Sequence, residues 1–177
     1  MTPDIGVRLR SVIRALEEVL LPAIAADNPL AREQAVLAMG HLRMLDGQWR
    51  YAADYARLNL DAMVDLGRDL LAAVEGGDQT RSAAAALERG IETDGAVDPA
   101  ALHRLWMQNG TVSTAIDRLS RAASVDGSRE FQATLDRHVL RHGLTQSMRD
   151  RGWFSAAGLD PDLPTLTPPA ALVGAHA

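Results

Sequence analysis

The stretch that decides the fold is NPLAREQAVLAMGHLRMLDGQWRYAADYARLNLDAMVDLGRDLLAAV, residues 28–74. Asn28 is a good N-cap, and Pro29 suits the first helical position because its missing N–H is not needed there. Charged residues recur every three or four positions, so they share one helix face and can pair along it: Arg43, Asp46, Arg50, Asp54, Arg57, Asp61 and Arg68. The pattern predicts one long helix, solvated along this face and buried over most of the rest.

The length of this helix has a consequence for assembly. About forty-five residues at 1.5 Å each form a rod of roughly 68 Å, whereas a compact domain of this chain length has a diameter of about 40 Å. Either the helix breaks, with Asp46-Gly47 as the best candidate position, or its surplus length packs against a second copy. The charged face keeps its phase across Gly47, and a helical glycine costs only about 1 kcal/mol. We therefore expect a continuous or gently kinked helix in a homodimer.

Composition limits the class of protein. The chain has 177 residues, 47% hydrophobic and only 4% aromatic, which favours an all-α fold. Its net charge of −5 is spread along the chain, which argues against nucleic acid as a partner. The absence of cysteine excludes disulfides and thiolate sites. No apolar run approaches the ~20 residues of a membrane span, and the N-terminus lacks the features of a signal peptide, so we expect a soluble cytoplasmic protein without a membrane partner.

The remaining chain predicts further helices and a tail. A first helix runs from the cap at Asp4 to about Ala26 and is kinked or ended by Pro22. Others cover about residues 78–89, with Asp78 as the cap, 98–126 and 128–142, and a short segment follows over 145–152. Residues 155–177 contain four prolines and are expected to be extended. The predicted fold is an all-α bundle of five main helices around the long one at about 28–74, with one domain over 1–154 and a Pro-rich tail over 155–177.

Most catalytic signatures are absent, and histidines carry the one chemical lead. No glutamate has a histidine three residues on, which excludes a di-iron bundle motif. His138 and His142 are four residues apart, so both rings can share a helix face and bind one metal ion. His41, on the apolar face of the long helix, can supply a third nitrogen. A single histidine followed about a hundred residues later by His-x-x-x-His resembles the metal site of DinB/YfiT-like helical bundles. The resemblance implies a divalent metal such as zinc or nickel, used for thiol-transfer or hydrolytic chemistry.

A structural interpretation of these histidines stays open. His142 precedes Gly143, which is expected to end its helix, and a donor there satisfies free carbonyls. Arg137 and Arg141 flank the pair and repel a metal cation unless they point away. A single histidine on an apolar face is more often a hydrogen-bonded core residue than a ligand.

Polar residues on the apolar helix faces also allow two interpretations. Gln48, Asn59 and Asn109 can orient a small molecule in an apolar cleft walled by Tyr55 and Trp106. The same residues can pair with one another and fix helix register or oligomeric state, and aromatic residues at helical spacing usually belong to a core. We expect register to be their main role and keep the ligand pocket as a second hypothesis.

The segments RALEEVLLP (residues 14–22) and NPLAREQA (residues 28–35) resemble an uncharacterised all-helical bacterial family found near aminoglycoside-phosphotransferase-like and acyl-CoA-dehydrogenase-like proteins. The resemblance covers about the first fifth of the chain, carries no catalytic motif and implies an accessory role. We therefore expect a non-catalytic accessory or assembly protein that acts as a homodimer without a cofactor, with another protein as a further partner. The alternative is a metal-dependent enzyme that uses His41, His138 and His142.

Overall fold

The computed structural model describes residues 4–92, 102–158 and 160–174, which are almost entirely helical. The predicted all-α fold class is confirmed. The α-helices are α1 Ile5–Ala15, α2 Leu21–Ala23, α3 Pro29–Gln48, α4 Ala52–Ala73, α5 Asp78–Glu92, α6 Leu102–Asp126, α7 Arg129–Trp153 and α8 Pro169–Gly174. Of the helices over these residues, none is both long and apolar enough to cross a membrane.

The predicted long helix is helical along its length but not α-helical throughout. α3 starts at Pro29, and the Asn28 side chain accepts a hydrogen bond from the Ala31 N–H at 3.1 Å, as expected of an N-cap. A 3₁₀ turn over Trp49–Tyr51 then precedes α4. The turn begins two residues after Gly47. The α-helix expected over residues 28–74 is therefore interrupted close to the position where the sequence allows a break.

The structure divides into two compact units, each described by itself below. Unit 1 consists of the described residues among 1–51 and 149–175, and unit 2 of residues 52–148. The chain passes from one unit to the other after the 3₁₀ turn and again inside α7. The expected domain over residues 1–154 and the expected tail over 155–177 are statements about which parts of the chain fold independently. Both stay predictions.

Unit 2 contains the hydrophobic core. α4, α5 and α6 pack against one another, and the start of α7 adds Phe131 and Leu135 to the same cluster. α4 buries the apolar face that the charged stripe predicted, through Tyr55, Ala56, Leu58, Leu60, Val64, Leu66, Gly67 and Leu70. For this half of the long stretch the predicted core is confirmed.

Two turns of unit 2 are joined by their backbones. The Gly77 N–H donates to the Asp126 carbonyl at 2.8 Å, and the Ser128 N–H donates to the Glu75 carbonyl at 3.0 Å. These bonds fasten the connection between α4 and α5 to the connection between α6 and α7, so four helix ends are fixed at one place.

The cap of α5 comes from a different helix than predicted. The Asp126 carboxylate accepts hydrogen bonds from the N–H groups of Gln79 and Thr80 at 2.8 and 3.0 Å and from the Thr80 hydroxyl at 2.6 Å. The hydroxyl bond is the largest cause that lowers the pKa of Asp126 below its ordinary value. Asp126, at the end of α6, thus takes the role that the sequence assigned to Asp78.

The first helix is altered by its proline and ends early. A π turn over Leu16–Leu20 follows α1, and the Leu21 N–H donates to the Leu16 carbonyl five residues back. Because Pro22 has no N–H to donate, regular α hydrogen bonding is lost around it. The helix ends at Ala23 and not at about Ala26.

α7 is continuous where the sequence predicted two segments. It runs through Gly143 to Trp153, whereas an end near His142 and a separate segment over 145–152 were expected. Gly143 does not have a positive φ, so it makes no left-handed turn, and a helical glycine costs only about 1 kcal/mol. The predicted start of α6 at Asp98-Pro99 lies outside the described residues.

The C-terminal segment contains short helices, so the expected extended tail is not confirmed. It forms 3₁₀ turns over Ser155–Ala157 and Leu163–Thr165 and then α8. Prolines cannot continue a helix but fit its first turn. Pro164 and Pro169 occupy such positions here, which explains how a proline-rich segment becomes helical.

A charged cluster attaches this segment to α7. The Arg151 guanidinium donates to Asp160 at 2.7 Å and to Asp162 at 2.6 Å. The Arg151 bond is the largest cause that lowers the pKa of Asp160 to about 2, and both bonds raise the pKa of Arg151. The cluster fixes the start of the C-terminal segment in unit 1.

Candidate functional site

Unit 1 has very little core of its own. Among the buried hydrophobic residues that the structure describes, only Met39 and Leu166 belong to unit 1. α3 buries only Met39 and Gln48, although the sequence predicted burial for most of its surface. The apolar surface expected on this helix is present but largely exposed.

The exposed apolar residues of unit 1 include two rows, one on each of its first two long helices. The rows are Ile5, Val12, Val19 and Leu20 on α1 and the π turn after it, and Leu30, Leu37 and Leu45 on α3. Successive members of a row are seven or eight residues apart, except that Leu20 directly follows Val19, so each row follows one helix face. Their exposed fractions lie between 45% and 66%. We call these seven residues the apolar face.

α1 and α3 form an antiparallel hairpin. Three ion pairs connect it: Asp4 with Arg50 at 3.8 Å, Arg10 with Asp46 at 3.4 Å and Glu17 with Arg43 at 3.0 Å. As residue numbers rise along α1, the partners' numbers fall, which fixes the antiparallel direction. Arg43, Asp46 and Arg50, which were predicted to pair along the long helix, therefore pair across the hairpin, because this part of the charged face meets a neighbouring helix. Arg57 and Asp61 pair along α4 at 3.7 Å, as predicted.

Val12 and Leu45 of the apolar face are directed away from the arginines that form ion pairs across the hairpin. At 3.6 residues per turn, Val12 is rotated about 160° from Arg10 on α1, and Leu45 is rotated about 160° from Arg43 on α3. Arg10 and Arg43 each reach across to the other helix at one edge. Val12 and Leu45 are consequently turned away from that edge.

The surface between the leucines of α3 is polar and includes one carboxylate, that of Glu33, which is three residues from Leu30 and four from Leu37. Gln34 lies between Leu30 and Leu37 on the same helix face, and His41 lies between Leu37 and Leu45. His41 is exposed, which corrects the expectation that it lies on a buried face.

The other two predicted metal ligands lie on α7 in unit 2. His138 Nδ1 is 3.2 Å from Asp69 Oδ2 and 3.1 Å from Arg141 Nη2, and His142 is partly buried. In the part of the chain that the structure describes, no group of three or more His, Cys, Asp or Glu residues is placed to hold a metal ion. The three-histidine site stays a prediction that elemental analysis of the purified protein tests.

Two residues of the predicted ligand pocket make hydrogen bonds within the chain. In unit 1, Gln48 is buried, and its Nε2 donates to the Trp153 carbonyl at 2.8 Å. In unit 2, the Asn59 side-chain oxygen accepts a hydrogen bond from Gln146 Nε2 at 3.1 Å. Both bonds join α3 or α4 to α7 within one unit, and neither joins two of the residues that were expected to pair with one another.

The other three pocket residues lie in unit 2 in different surroundings. Tyr55 is buried. Asn109 has a buried side-chain oxygen without a hydrogen-bond partner among the described residues. Trp106 is 60% exposed, which corrects the inward position expected from the apolar stripe of α6. The pocket formed by these residues together stays a prediction.

Sequence reasoning missed the apolar face although its signal is present. Ile5, Val12 and Val19 follow one another at seven-residue spacing, as in a stripe that a helix buries. That spacing identifies a helix face but does not show whether a neighbour covers it. α1 and α3 each carry more apolar surface than one neighbouring helix covers, and this surplus is the signal that was available.

No protein-family model, curated protein or solved structure matches the chain significantly. The two resemblances drawn from short segments of the sequence therefore stay predictions.

Proposed function

We propose that this protein is a non-catalytic assembly protein that forms a homodimer through the apolar face of the α1–α3 hairpin. The observation that carries the proposal is the imbalance within the described part of unit 1, which has two buried hydrophobic residues and seven exposed ones in the two rows of its hairpin. Apolar surface removed from water contributes about 25 cal/mol per Å². A partner that covers this face therefore supplies the burial that unit 1 lacks.

The size of the apolar face supports an interface. Seven apolar side chains, each about half exposed, form a patch on the order of 600 Å², at the upper end of the largest patches on monomeric proteins, which often mark interaction sites. A standard interface covers about 800 Å² on each partner. The face together with its polar border, which includes Gln34 and His41, reaches this size.

A second copy of the chain is the partner that fits the face best. The seven residues of the face are uncharged. The charged side chains between them at helical spacing, Arg8 on α1 and Glu33 on α3, have opposite signs, so two identical faces can meet with unlike charges opposite each other. Two antiparallel hairpins packed face to face form a four-helix bundle, and a two-fold axis makes the contact closed and self-complementary. In this proposal the protein acts by forming the dimer and catalyses no reaction, which is why we assign it an accessory role.

The test is the oligomeric state of two charge variants. Sedimentation equilibrium of the wild-type chain is expected to give twice the mass of one chain. Leu37→Glu and Leu45→Glu each place an unpaired charge in the interface, which costs about 3–5 kcal/mol and raises the dissociation constant by about a hundredfold or more. Both variants are expected to sediment as single chains at the same concentration.

The matched control is Leu144→Glu on α7 of unit 2. Leu144 is 70% exposed and does not belong to the apolar face, so the same substitution there leaves the dimer intact. Far-UV circular dichroism of all three variants checks that the helices are retained. A wild-type protein that is monomeric at high concentration contradicts the proposal. So does a dimer that Leu144→Glu dissociates and Leu37→Glu does not.

A further inference from the structure

A groove between α5 and α6 in unit 2 is separate from the proposed dimer face. Its volume is about 500 Å³, within the range of about 300–1,000 Å³ typical of small-molecule sites. On α6 its lining runs from Trp106 to Arg118, a length of about 18 Å at 1.5 Å per residue. The groove is therefore elongated along the helix axis.

The walls of the groove are apolar at one end. Trp106 and Met107 are 60% and 61% exposed, unusually high for large apolar residues that line a depression. Gly110, one turn further along α6, also lines the groove. A Cβ placed on Gly110 would have no atom within 4 Å, so no neighbour requires a glycine there. Glycine is also unfavourable inside a helix, and its effect at this position is to keep the groove open.

The other end of the groove carries an uncompensated positive charge. Arg118 lines the groove. The neighbouring carboxylate, Asp117, pairs with Arg121 at 3.0 Å, and among the described residues no ion pair is formed by Arg118. None of the residues that line the groove is acidic. A guanidinium in such surroundings favours a carboxylate, which it can bind through two parallel hydrogen bonds.

We propose that the α5–α6 groove binds an elongated apolar molecule that ends in one carboxylate. The apolar body lies against Trp106, Met107 and Gly110, and the carboxylate pairs with Arg118. The molecule lies along α6 because the two kinds of wall are separated along that helix. This site is independent of the dimer interface, which lies in unit 1.

The experiment titrates the ¹⁵N-labelled full-length protein with decanoate below its micelle concentration and follows amide chemical shifts. Saturable shifts are expected for residues around 107–118. Decanol, which lacks the charge, is expected to bind about two- to fivefold more weakly, the effect of one exposed ion pair. Arg118→Gln is expected to lower the affinity of the protein for decanoate to its affinity for decanol. Gly110→Leu is expected to weaken the binding of both decanoate and decanol by about tenfold or more, because the leucine side chain fills the groove.

Two variants serve as matched controls. Gly143→Leu makes the same change at a helical glycine of α7 that is equally open, and Arg121→Gln removes a neighbouring arginine of α6 that does not line the groove. Both are expected to bind decanoate like the wild type. Absence of saturable shifts, shifts confined to α1 and α3, or unchanged binding in Gly110→Leu overturns the site. Equal binding of decanoate and decanol overturns its anionic end.

Discussion

Gly127 is the position where adding one methyl group tests the packing of unit 2 most directly. Gly127 lies in the turn between α6 and α7 and forms an isolated antiparallel bridge with Gly76. A Cβ at Gly127 would be 2.6 Å from the Ala123 carbonyl oxygen and 2.8 Å from the Ala123 Cα. These are backbone atoms that cannot rotate away. The substitution Gly127→Ala therefore requires the turn to move.

The expected magnitude follows from the contacts that such a movement disturbs. An added methyl group in a fully packed place costs about 1–3 kcal/mol. The two backbone hydrogen bonds beside the bridge, from Gly77 to Asp126 and from Ser128 to Glu75, contribute about 1 kcal/mol each. We expect Gly127→Ala to lower the free energy of unfolding by about 2–4 kcal/mol.

The control makes the same substitution at Gly143, where a Cβ meets nothing within 4 Å inside α7. Replacing an unstrained helical glycine by alanine stabilises by about 0.5–1 kcal/mol, so the two variants are expected to shift stability in opposite directions. Urea unfolding measures both, at one protein concentration because association adds to apparent stability. If Gly127→Ala is as stable as the wild type, or if both variants shift in the same direction, the close packing of Gly127 against Ala123 is refuted.

Two further predictions concern the core and the charged cluster. Leu119 has no exposed surface in the core of unit 2, so Leu119→Ala is expected to lower the free energy of unfolding by about 2–5 kcal/mol, measured in urea. Arg151 lowers the pKa of Asp160 from 3.8 to about 2, so this pair stabilises the folded C-terminal segment fully above pH 3.8 and loses its effect as the pH falls through about 2. Amide hydrogen exchange around residues 160–166 is expected to speed up over that acid range in the wild type. In Asp160→Asn the exchange is expected to be faster already at pH 6 and to change less as the pH falls. An equal acid response in both proteins contradicts this cause.

Much of the helical content was predictable because local signals coincide with the observed elements. The Asn28-Pro29 start of α3 follows from cap chemistry, and the core of α4 follows from the charged stripe. The end predicted at Gly143 was wrong because a glycine permits a helix end but does not require one. A left-handed residue or an alternative bond for the last carbonyls is also needed, and neither is visible in the residue types alone.

The candidate site was less predictable because periodicity identifies a face but not its neighbour. Leu37 and Leu45 have the same spacing as core leucines, yet they are exposed. Trp106 was assigned to the core for the same reason and instead lines a groove. Arg43 and Asp46 pair with α1 and not along their own helix. In each case the neighbouring element in the tertiary structure determines whether the side chain is buried or which partner it has. A single sequence does not identify that element.

Unit 1 is discontinuous in sequence, and this affects the order in which its parts become available during translation. A ribosome releases the N-terminal hairpin long before residues 149–174 exist, and the contiguous unit 2 emerges in between. The nascent hairpin thus presents its leucines and valines while its own C-terminal segment is still unmade. Hairpins on adjacent ribosomes of one message can meet during that interval, so the homodimer that we propose would begin to form before either polypeptide is finished.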